Sequence, residues 1–152
     1  MNGEVAIEDP GIAALPHRAP FLFVRTLKSC VAGESAEGTT WFAEDDELFK
    51  GHFPGRPIVP GVILTEALAQ IAGVAAASGY HVDKRPGFLL SAIRGMKFFR
   101  AVHPRENITL RARRLAEMGE LLQFAVEARV GEEKVAEGQL VLSREEKHSA
   151  LG

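Results

Sequence analysis

One segment constrains the fold of this chain more than any other: the stretch 61–77, which is apolar on nearly every side. It lacks proline, and its only interior glycine is Gly73. Its polar residues are Thr65, Glu66 and Gln70 alone. A helix with this pattern has almost no face for water, so the rest of the domain must bury it on most sides. A membrane span is the competing interpretation, which fails because the stretch is short, alanine-rich and carries a carboxylate near its start.

The segments on either side of this helix have the composition of β-strands. Strands are predicted over 21–31 and 35–42 before the helix, and over 88–100, 107–116, 121–130 and 134–143 after it. The last four are separated by turns and therefore look like successive hairpins. Two strands, one buried helix and four strands favour an α+β fold, with an antiparallel sheet curled around a long central helix. A doubly wound nucleotide-binding fold has no support, because strands and helices do not alternate.

Length and composition indicate one ordinary globular domain. The 152 residues are 46% apolar and 25% charged, which predicts a single domain over 1–152, with a core at about 15–143 and a polar tail at 144–152. The net charge of -2 gives no field that would attract nucleic acid or insert the chain at an anionic membrane. The single cysteine, Cys30, excludes an internal disulfide framework and a cysteine-rich zinc cluster. The acidic N-terminus has no secretory signal, so the cytoplasm is the expected compartment.

The segment 50–60 is a constrained loop that carries the first candidate catalytic residue. Its three prolines and two glycines exclude regular helix and central strand. Such a loop holds the side chain of His52 in one place at low entropy cost, shortly before Glu66 in the chain. A lone histidine is more often structural, and that alternative stays open on this evidence. The other histidines lie in turns or in the tail, among them His17 after Pro16, and no histidine pair has metal-ligand spacing.

Glu66 is the most informative residue, because glutamate is rarely buried unless it is paired or functional. It either lies on a narrow exposed stripe with Gln70, or it is a desolvated carboxyl whose raised pKa suits a general acid. Gly61 opens the helix, where an unpaired N–H suits the charge that develops on a carbonyl oxygen. With His52, these residues make a base, an acid and an oxyanion donor, and the set needs no cofactor and no metal. It suits proton abstraction beside a carbonyl with loss of a β-leaving group.

Three motifs carry a resemblance to a known family: Leu15-Pro-His-Arg-Ala-Pro-Phe-Leu-Phe-Val24, Gly51-His-Phe-Pro-Gly-Arg-Pro-Ile-Val-Pro-Gly-Val62 and Glu66-Ala-Leu-Ala-Gln70. From about Leu15 to Leu142 the chain resembles the FabZ-like 3-hydroxyacyl-[acyl-carrier-protein] dehydratases. The resemblance implies a hotdog fold, and homodimers that sometimes assemble into hexamers with each active site at the dimer interface. It implies that His52 is the catalytic histidine and that Glu66 is the catalytic acid of the opposite protomer. It further implies that the N–H of Gly61 polarises the thioester carbonyl.

The chain departs from the family's pattern near the expected rim of the site. Val24-Arg25-Thr26 stands where the family often has Val-Asp-Arg, and Pro104-Arg105-Glu106 stands where it usually has Pro-Gly-Asp. The chemical residues are spared, so these departures concern the choice of substrate more than the reaction. Glutamate at position 66 resembles the dehydratase-only branch rather than the dehydratase–isomerase branch.

The leading hypothesis is therefore a lyase that dehydrates (3R)-3-hydroxyacyl thioesters on acyl carrier protein, with Phe53, Pro60 and Gln70 contributing to substrate binding. Gln70 is also expected to hydrogen-bond Glu66 from one turn away. The alternatives are a hotdog thioesterase acting on the same substrates, and a non-catalytic subunit that binds the carrier protein. The first lacks support because thioesterases of this fold generally do not have the glycine–histidine–proline block, and the second is disfavoured by an intact His52 and Glu66.

A basic segment follows the central helix in the sequence. Residues 94–114 contain seven basic residues and one acid, although the whole chain is slightly acidic. The segment either belongs to strands whose outer faces are solvated or is a docking surface for an acidic acyl carrier protein. The docking interpretation assigns Lys97, Arg100 and Arg105 to that surface, because charge beside Phe98 and Phe99 suits the mouth of a tunnel.

Overall fold

A six-stranded antiparallel sheet packs against one long helix in the computed structural model, which describes residues 9–145. The elements, in chain order, are the helix α1 (Pro10–Ala13), strands β1 (Thr26–Val31) and β2 (Ser35–Thr40), helices α2 (Leu48–Gly51) and α3 (Gly61–Ala77), a short 3-10 helix (Val82–Lys84), and strands β3 (Gly87–Phe98), β4 (Ile108–Met118), β5 (Leu121–Val130) and β6 (Glu133–Glu145). The predicted α+β hotdog architecture is confirmed. Across residues 9–145, no helix is long and apolar enough to cross a membrane.

The strand order differs from a simple run of hairpins. It is β1-β2-β4-β5-β6-β3, so β3 forms one edge of the sheet and pairs with β6 rather than with β4. The hairpin predicted around the turn at 102–105 is therefore wrong, because this connection crosses from one edge of the sheet to its middle. The hairpins β4–β5 and β5–β6 are present. Among residues 9–145, the other edge is β1, which pairs with β2 alone.

The element bounds agree with the predictions except where backbone groups find other partners. Helix α3 and strand β5 have the predicted limits. The first strand begins only at Thr26, because the segment before it bonds to α3: Gln70 accepts a hydrogen bond from the Phe23 N–H and donates one to the Phe21 carbonyl. Strand β6 continues through Arg144 to Glu145, so the predicted polar tail starts later, and residues 146–152 lie outside the described range.

Helix α3 presents two unlike flanks to the rest of the molecule. With 100° per residue, one side carries the large apolar side chains, and it packs mainly against β4 and β2. We call this side the closed flank, and its residues are almost completely buried: Leu64, Leu68, Ile71 and Ala75. The opposite side, which we call the open flank, begins with a carboxylate and continues with small residues that line a cavity: Glu66, Ala69, Gly73 and Ala77.

The closed flank leaves no free space at the sheet. A Cβ added at Gly38 of β2 would lie 2.5 Å from the Thr26 carbonyl oxygen and 3.1 Å from Cδ1 of Ile71. Glycine is therefore required at position 38, mainly by the backbone of β1 and in addition by the Ile71 side chain of the helix.

Candidate active site

The loop that carries His52 is a small hydrogen-bonded hairpin. Phe53 and Arg56 exchange backbone hydrogen bonds of 2.8–2.9 Å, and the Ile58 N–H donates to the His52 carbonyl at 3.1 Å. The turn between them contains Gly55 with a φ of 75°, in the left-handed region that favours glycine after proline in a type II turn. After the hairpin, the backbone N–H of Val59 donates a hydrogen bond to the Val102 carbonyl. The prolines and glycine predicted to constrain this loop thus do so through a specific turn.

The imidazole of His52 is oriented by its own loop. Its Nδ1 lies 3.0 Å from the carbonyl oxygen of Ile58, and because a carbonyl oxygen only accepts, Nδ1 must carry the proton. The Nε2 lone pair is then left free to accept a proton, as a general base requires. The ring of Phe53 stacks on the imidazole, with 4.0 Å between the ring centroids. His52 is half-buried, so its free nitrogen remains within reach of a ligand.

The start of α3 lies against an aromatic side chain from the edge strand. Gly61 is the first helical residue, after the N-cap residue Pro60, and N–H groups in this turn have no acceptor within the helix. A Cβ added at Gly61 would lie only 3.0 Å from Cζ of Phe98. The missing side chain therefore serves packing as well as the close approach to the N–H that the sequence suggests. The Pro60 carbonyl accepts from Ile63 and Leu64, which secures the first turn.

Glu66 is neither fully buried nor on an exposed stripe. Its side chain is 20% exposed, and its Oε1 lies 3.4 Å from Nε2 of His17. Both residues line a cavity of about 130 Å³ along the open flank of α3. The far walls of that cavity are apolar and come from the segment before β3, from β3 itself and from β6: Pro86, Phe88, Leu89, Leu90 and Leu142. The carboxyl group thus stands at the polar end of an otherwise apolar channel.

Within one chain, the two candidate catalytic side chains are not brought together. The cavity that contains Glu66 is not lined by His52. Among residues 9–145, the contacts of the His52 imidazole are with Phe53 and Ile58, whereas the ion pair of Glu66 is with His17. Within the part of the chain that the structure describes, the two side chains therefore share no hydrogen bond, no ion pair and no cavity.

The prediction that Gln70 hydrogen-bonds Glu66 is wrong. Gln70 is 1% exposed, and its amide is occupied by the backbone of Phe21 and Phe23, as described above. Its role in the structure is to fasten the segment that follows His17 to the central helix. His17, predicted only to lie in a turn, belongs to the motif at 15–24. A signal for a role of His17 is present in the sequence, because its motif and the motif of Glu66 both belong to the pattern of the same family.

The three predicted docking cations do not form one free surface. Arg100 makes ion pairs with Glu106 and Glu133, and Arg105 pairs with Glu44 at 2.8 Å. Hydrogen bonds with Glu106 raise the pKa of Arg100 further above its usual value, and they lower the pKa of the Glu106 carboxyl. Arg100 is therefore committed to holding the connection after β3. Lys97 is exposed and lines a groove on the sheet face opposite α3, together with the exposed Arg94, Arg111 and Arg113.

Comparison with known proteins identifies the family. Residues 28–139 match the model of the ApeI-like family, described as ApeI dehydratase. The chain is 31% identical to the 3-hydroxyacyl-[acyl-carrier-protein] dehydratase FabZ of Psychrobacter arcticus, covering 87% of this chain and 92% of that protein. It is 36% identical to the FabZ of Thioalkalivibrio sulfidiphilus, with the same coverage.

A solved structure has the same fold. The dehydratase heterocomplex ApeI:P of Xenorhabdus doucetiae aligns with a TM-score of 0.75 at 19% identity, covering 91% of this chain and 92% of that one. The fold and the matched sequences confirm the resemblance that the histidine, proline and glutamate motifs carry. The chain belongs to the ApeI-like and FabZ group of hotdog dehydratases.

Proposed function

We propose that the protein dehydrates (3R)-3-hydroxyacyl thioesters to trans-2-enoyl thioesters, with the acyl chain borne on an acyl carrier protein, in fatty acid or related acyl-chain synthesis. The observation that carries the proposal is the orientation of His52, whose Nδ1–H is held by the Ile58 carbonyl. The opposite nitrogen is a fixed base on a loop that leads directly into the start of α3. Family membership supports the same reaction.

The proton transfers follow from the geometry of the two half-sites. Nε2 of His52 takes the α-proton, and the electron pair of the C–H bond moves toward the thioester carbonyl. The N–H of Gly61 stabilises the negative charge on that oxygen. Glu66 in its protonated form donates to the β-hydroxyl, which leaves as water while the α–β double bond forms. The site is reset when the proton on His52 passes to the solvent and Glu66 is protonated again.

The cavity along the open flank suits the acyl chain. Its walls past Glu66 and His17 are apolar, and the helix contributes only small residues to it. From Glu66 to Ala77 the helix rises about 16 Å at 1.5 Å per residue, and the residues that line the cavity are spread along this length. Phe53, which covers one face of the His52 imidazole, is proposed to contact the thioester end together with Pro60.

We further propose that the complete site forms between two copies of the chain. His52 and Glu66 do not meet within one copy, and the edge strand β3 exposes a row of large apolar side chains: Leu89, Leu90, Ile93, Phe98 and the following Phe99. An exposed apolar strand edge is a template for pairing with a second strand. Pairing of β3 with its equivalent would bring the His52 loop of one protomer toward the open flank of the other. Assembly of such homodimers into hexamers stays a prediction, as does the cytoplasmic location.

Complementation tests the shared site. His52→Ala and Glu66→Gln are each expected to be inactive alone, and a mixture allowed to exchange subunits should recover activity because some heterodimers contain one intact site. Subunit exchange must be demonstrated independently with differently tagged chains. Full exchange with no recovered activity would contradict the shared site.

The reaction itself is tested with carrier-bound 3-hydroxyacyl chains of several lengths. Mass spectrometry of the products should show loss of water, and the near-ultraviolet absorbance of the conjugated enoyl thioester should rise. Release of free thiol is measured in the same reaction, because thioesterase activity would produce it and dehydration would not. A protein that binds the carrier without either signal would be a non-catalytic subunit, and the proposal would fail.

A further inference from the structure

His17 occupies a position that the proposed mechanism does not use. Its Nε2 lies 3.4 Å from Oε1 of Glu66, and its side chain is 25% exposed. Its other ring nitrogen, Nδ1, is buried and has no hydrogen-bond partner among residues 9–145. Within that range, His17 is also the only basic side chain within 4.0 Å of the Glu66 carboxyl. Nε2, the ring nitrogen of His17 that has a partner, therefore contacts the candidate catalytic acid.

The segment around His17 is held rigidly enough to place this ring. Nη1 of Arg18 donates to the carbonyl oxygens of Leu15 and His17 at 2.7 and 2.6 Å, which fixes the turn. The ring of Phe21 stacks beside the imidazole, with centroids 6.4 Å apart. Gln70 then holds the backbone on both sides of Leu22. The segment is therefore tied to α3 at Glu66 and again one turn later.

The proton arrangement on His17 follows from its surroundings. A proton on Nδ1 would leave a buried N–H without an acceptor, which is unfavourable. A lone pair on Nε2 would be repelled by an unprotonated Oε1, and if it accepted a proton from Oε1 the buried Nδ1–H would still lack an acceptor. The neutral tautomer with the proton on Nε2 avoids both problems, and that N–H dipole attracts Oε1 of Glu66. Oε2 is then the carboxyl oxygen left to carry the proton.

We propose that His17 is a positioning residue for Glu66, which holds Oε1 so that Oε2 delivers the proton to the departing hydroxyl. The proposal rests on the proposed dehydratase function. It explains why the motif at 15–24 accompanies the motif at 66–70 in one chain: the first supplies both the imidazole and the backbone that Gln70 binds. His17 does not touch the reacting atoms, and it acts through the orientation of the carboxyl.

The test compares variants that keep or remove the N–H at the place of Nε2. His17→Phe keeps a planar ring without a donor, and it should lower kcat by about 10- to 100-fold, the scale of a misplaced catalytic group, with KM nearly unchanged. His17→Gln places an amide N–H at a similar reach and should restore kcat to within a few-fold of the wild type. His17→Asn is polar but too short to reach Glu66, so it should behave like His17→Phe. If His17→Phe does not fold, His17→Asn supplies the comparison.

The decisive measurement is a double-mutant cycle with Glu66→Gln. If His17 acts through the carboxyl, adding His17→Phe or His17→Asn to Glu66→Gln should cause no further loss of kcat, because the group it positions is already gone. A full additional loss in that background, an unchanged kcat in the single variants, or no rescue by His17→Gln would overturn the proposal. His81→Phe is the matched control, since it removes an exposed histidine that pairs with Asp83 at 3.7 Å and should leave kcat unchanged.

This design separates the two proposals. Absence of dehydration by the wild-type protein would defeat the proposed function before any variant is compared. Dehydration by the wild type with no effect of the His17 substitutions would defeat the positioning role alone.

Discussion

The two flanks of helix α3 differ in how much space their side chains fill. On the closed flank, Leu68 and Ile71 are fully buried, and the sheet strands that α3 contacts most are β4 and β2. On the open flank, the small residues Ala69 and Gly73 leave a cavity of about 130 Å³ that begins at Glu66. One helix therefore provides the core on one side and a channel on the other.

A helix with nearly uniform hydrophobicity thus does not have a uniform role. Apart from Glu66, both flanks are apolar, and side-chain volume separates them: the large residues of one fill space, and the small residues of the other line a cavity. Close packing is the default in protein interiors, so an apolar cavity beside a carboxyl group supports the proposed acyl-chain site. The comparison predicts that closed-flank substitutions change stability and open-flank substitutions change activity.

The largest effect is expected at the two proposed catalytic side chains. Glu66→Gln, at the head of the open flank, and His52→Ala should each lower turnover by about 10²-fold or more, the scale of one lost acid or base. Thermal unfolding should change little, because both side chains are only partly buried. Near wild-type turnover in either variant would remove that residue from the mechanism.

The closed flank should show the reverse behaviour. Leu68→Ala removes a fully buried side chain and should lower the free energy of unfolding by about 2–5 kcal/mol, through lost burial and a new cavity. Denaturant titration measures this loss. Turnover per folded molecule at low temperature should stay near the wild-type value, and a selective loss of turnover would break the distinction between the flanks.

Two matched substitutions, each of which changes one methyl group, test the difference between the two flanks. Gly73→Ala adds a methyl to the open flank, where a Cβ would lie 3.2 Å from the end of the Leu15 side chain. It should change stability by less than about 1 kcal/mol, because better helix propensity offsets the small shift of Leu15. It should also lower kcat/KM for long acyl chains by about tenfold relative to short ones, the scale of one methyl in an apolar site.

The control for that change removes a methyl from the closed flank. Ala75→Gly should destabilise the protein by about 1 kcal/mol through helix propensity, with no change in chain-length preference. Equal shifts of chain-length preference in both variants would mean that the cavity does not hold the acyl chain.

Surface charge lies outside both flanks and should give the smallest effect. Lys97→Glu is expected to raise KM a few-fold for carrier-protein substrates and to spare small thioester analogues, with the difference fading at high salt. Arg100→Glu is unsuitable for this test because it breaks the ion pairs with Glu106 and Glu133. The same change of KM for both substrate types would assign Lys97 to the solvated surface.

Local patterns predicted the elements well where local forces decide them. The limits of α3 follow from Pro60 before it and the unbroken apolar run within it, and β5 follows from its alternation. The late start of β1 was not predictable from its own residues, because the backbone before it is bound by the side chain of Gln70, distant in sequence. The partner of β3 was also not predictable, since its exposed apolar residues suit either an internal or an edge strand.

In the candidate site, too, some features could be predicted from the sequence and others could not. The proposal of His52, Gly61 and Glu66 as the chemical residues follows from their residue types, their setting in a constrained loop and at a helix start, and the motifs they belong to. The proton on Nδ1 of His52, the engagement of Gln70 by the backbone and the contact of His17 with Glu66 depend on groups brought together from separate segments. Sequence determines which side chains are available and which segments are rigid, because these are local properties. Only tertiary structure decides which polar atoms meet, because hydrogen bonds and ion pairs act over a few ångströms between residues that the chain places far apart.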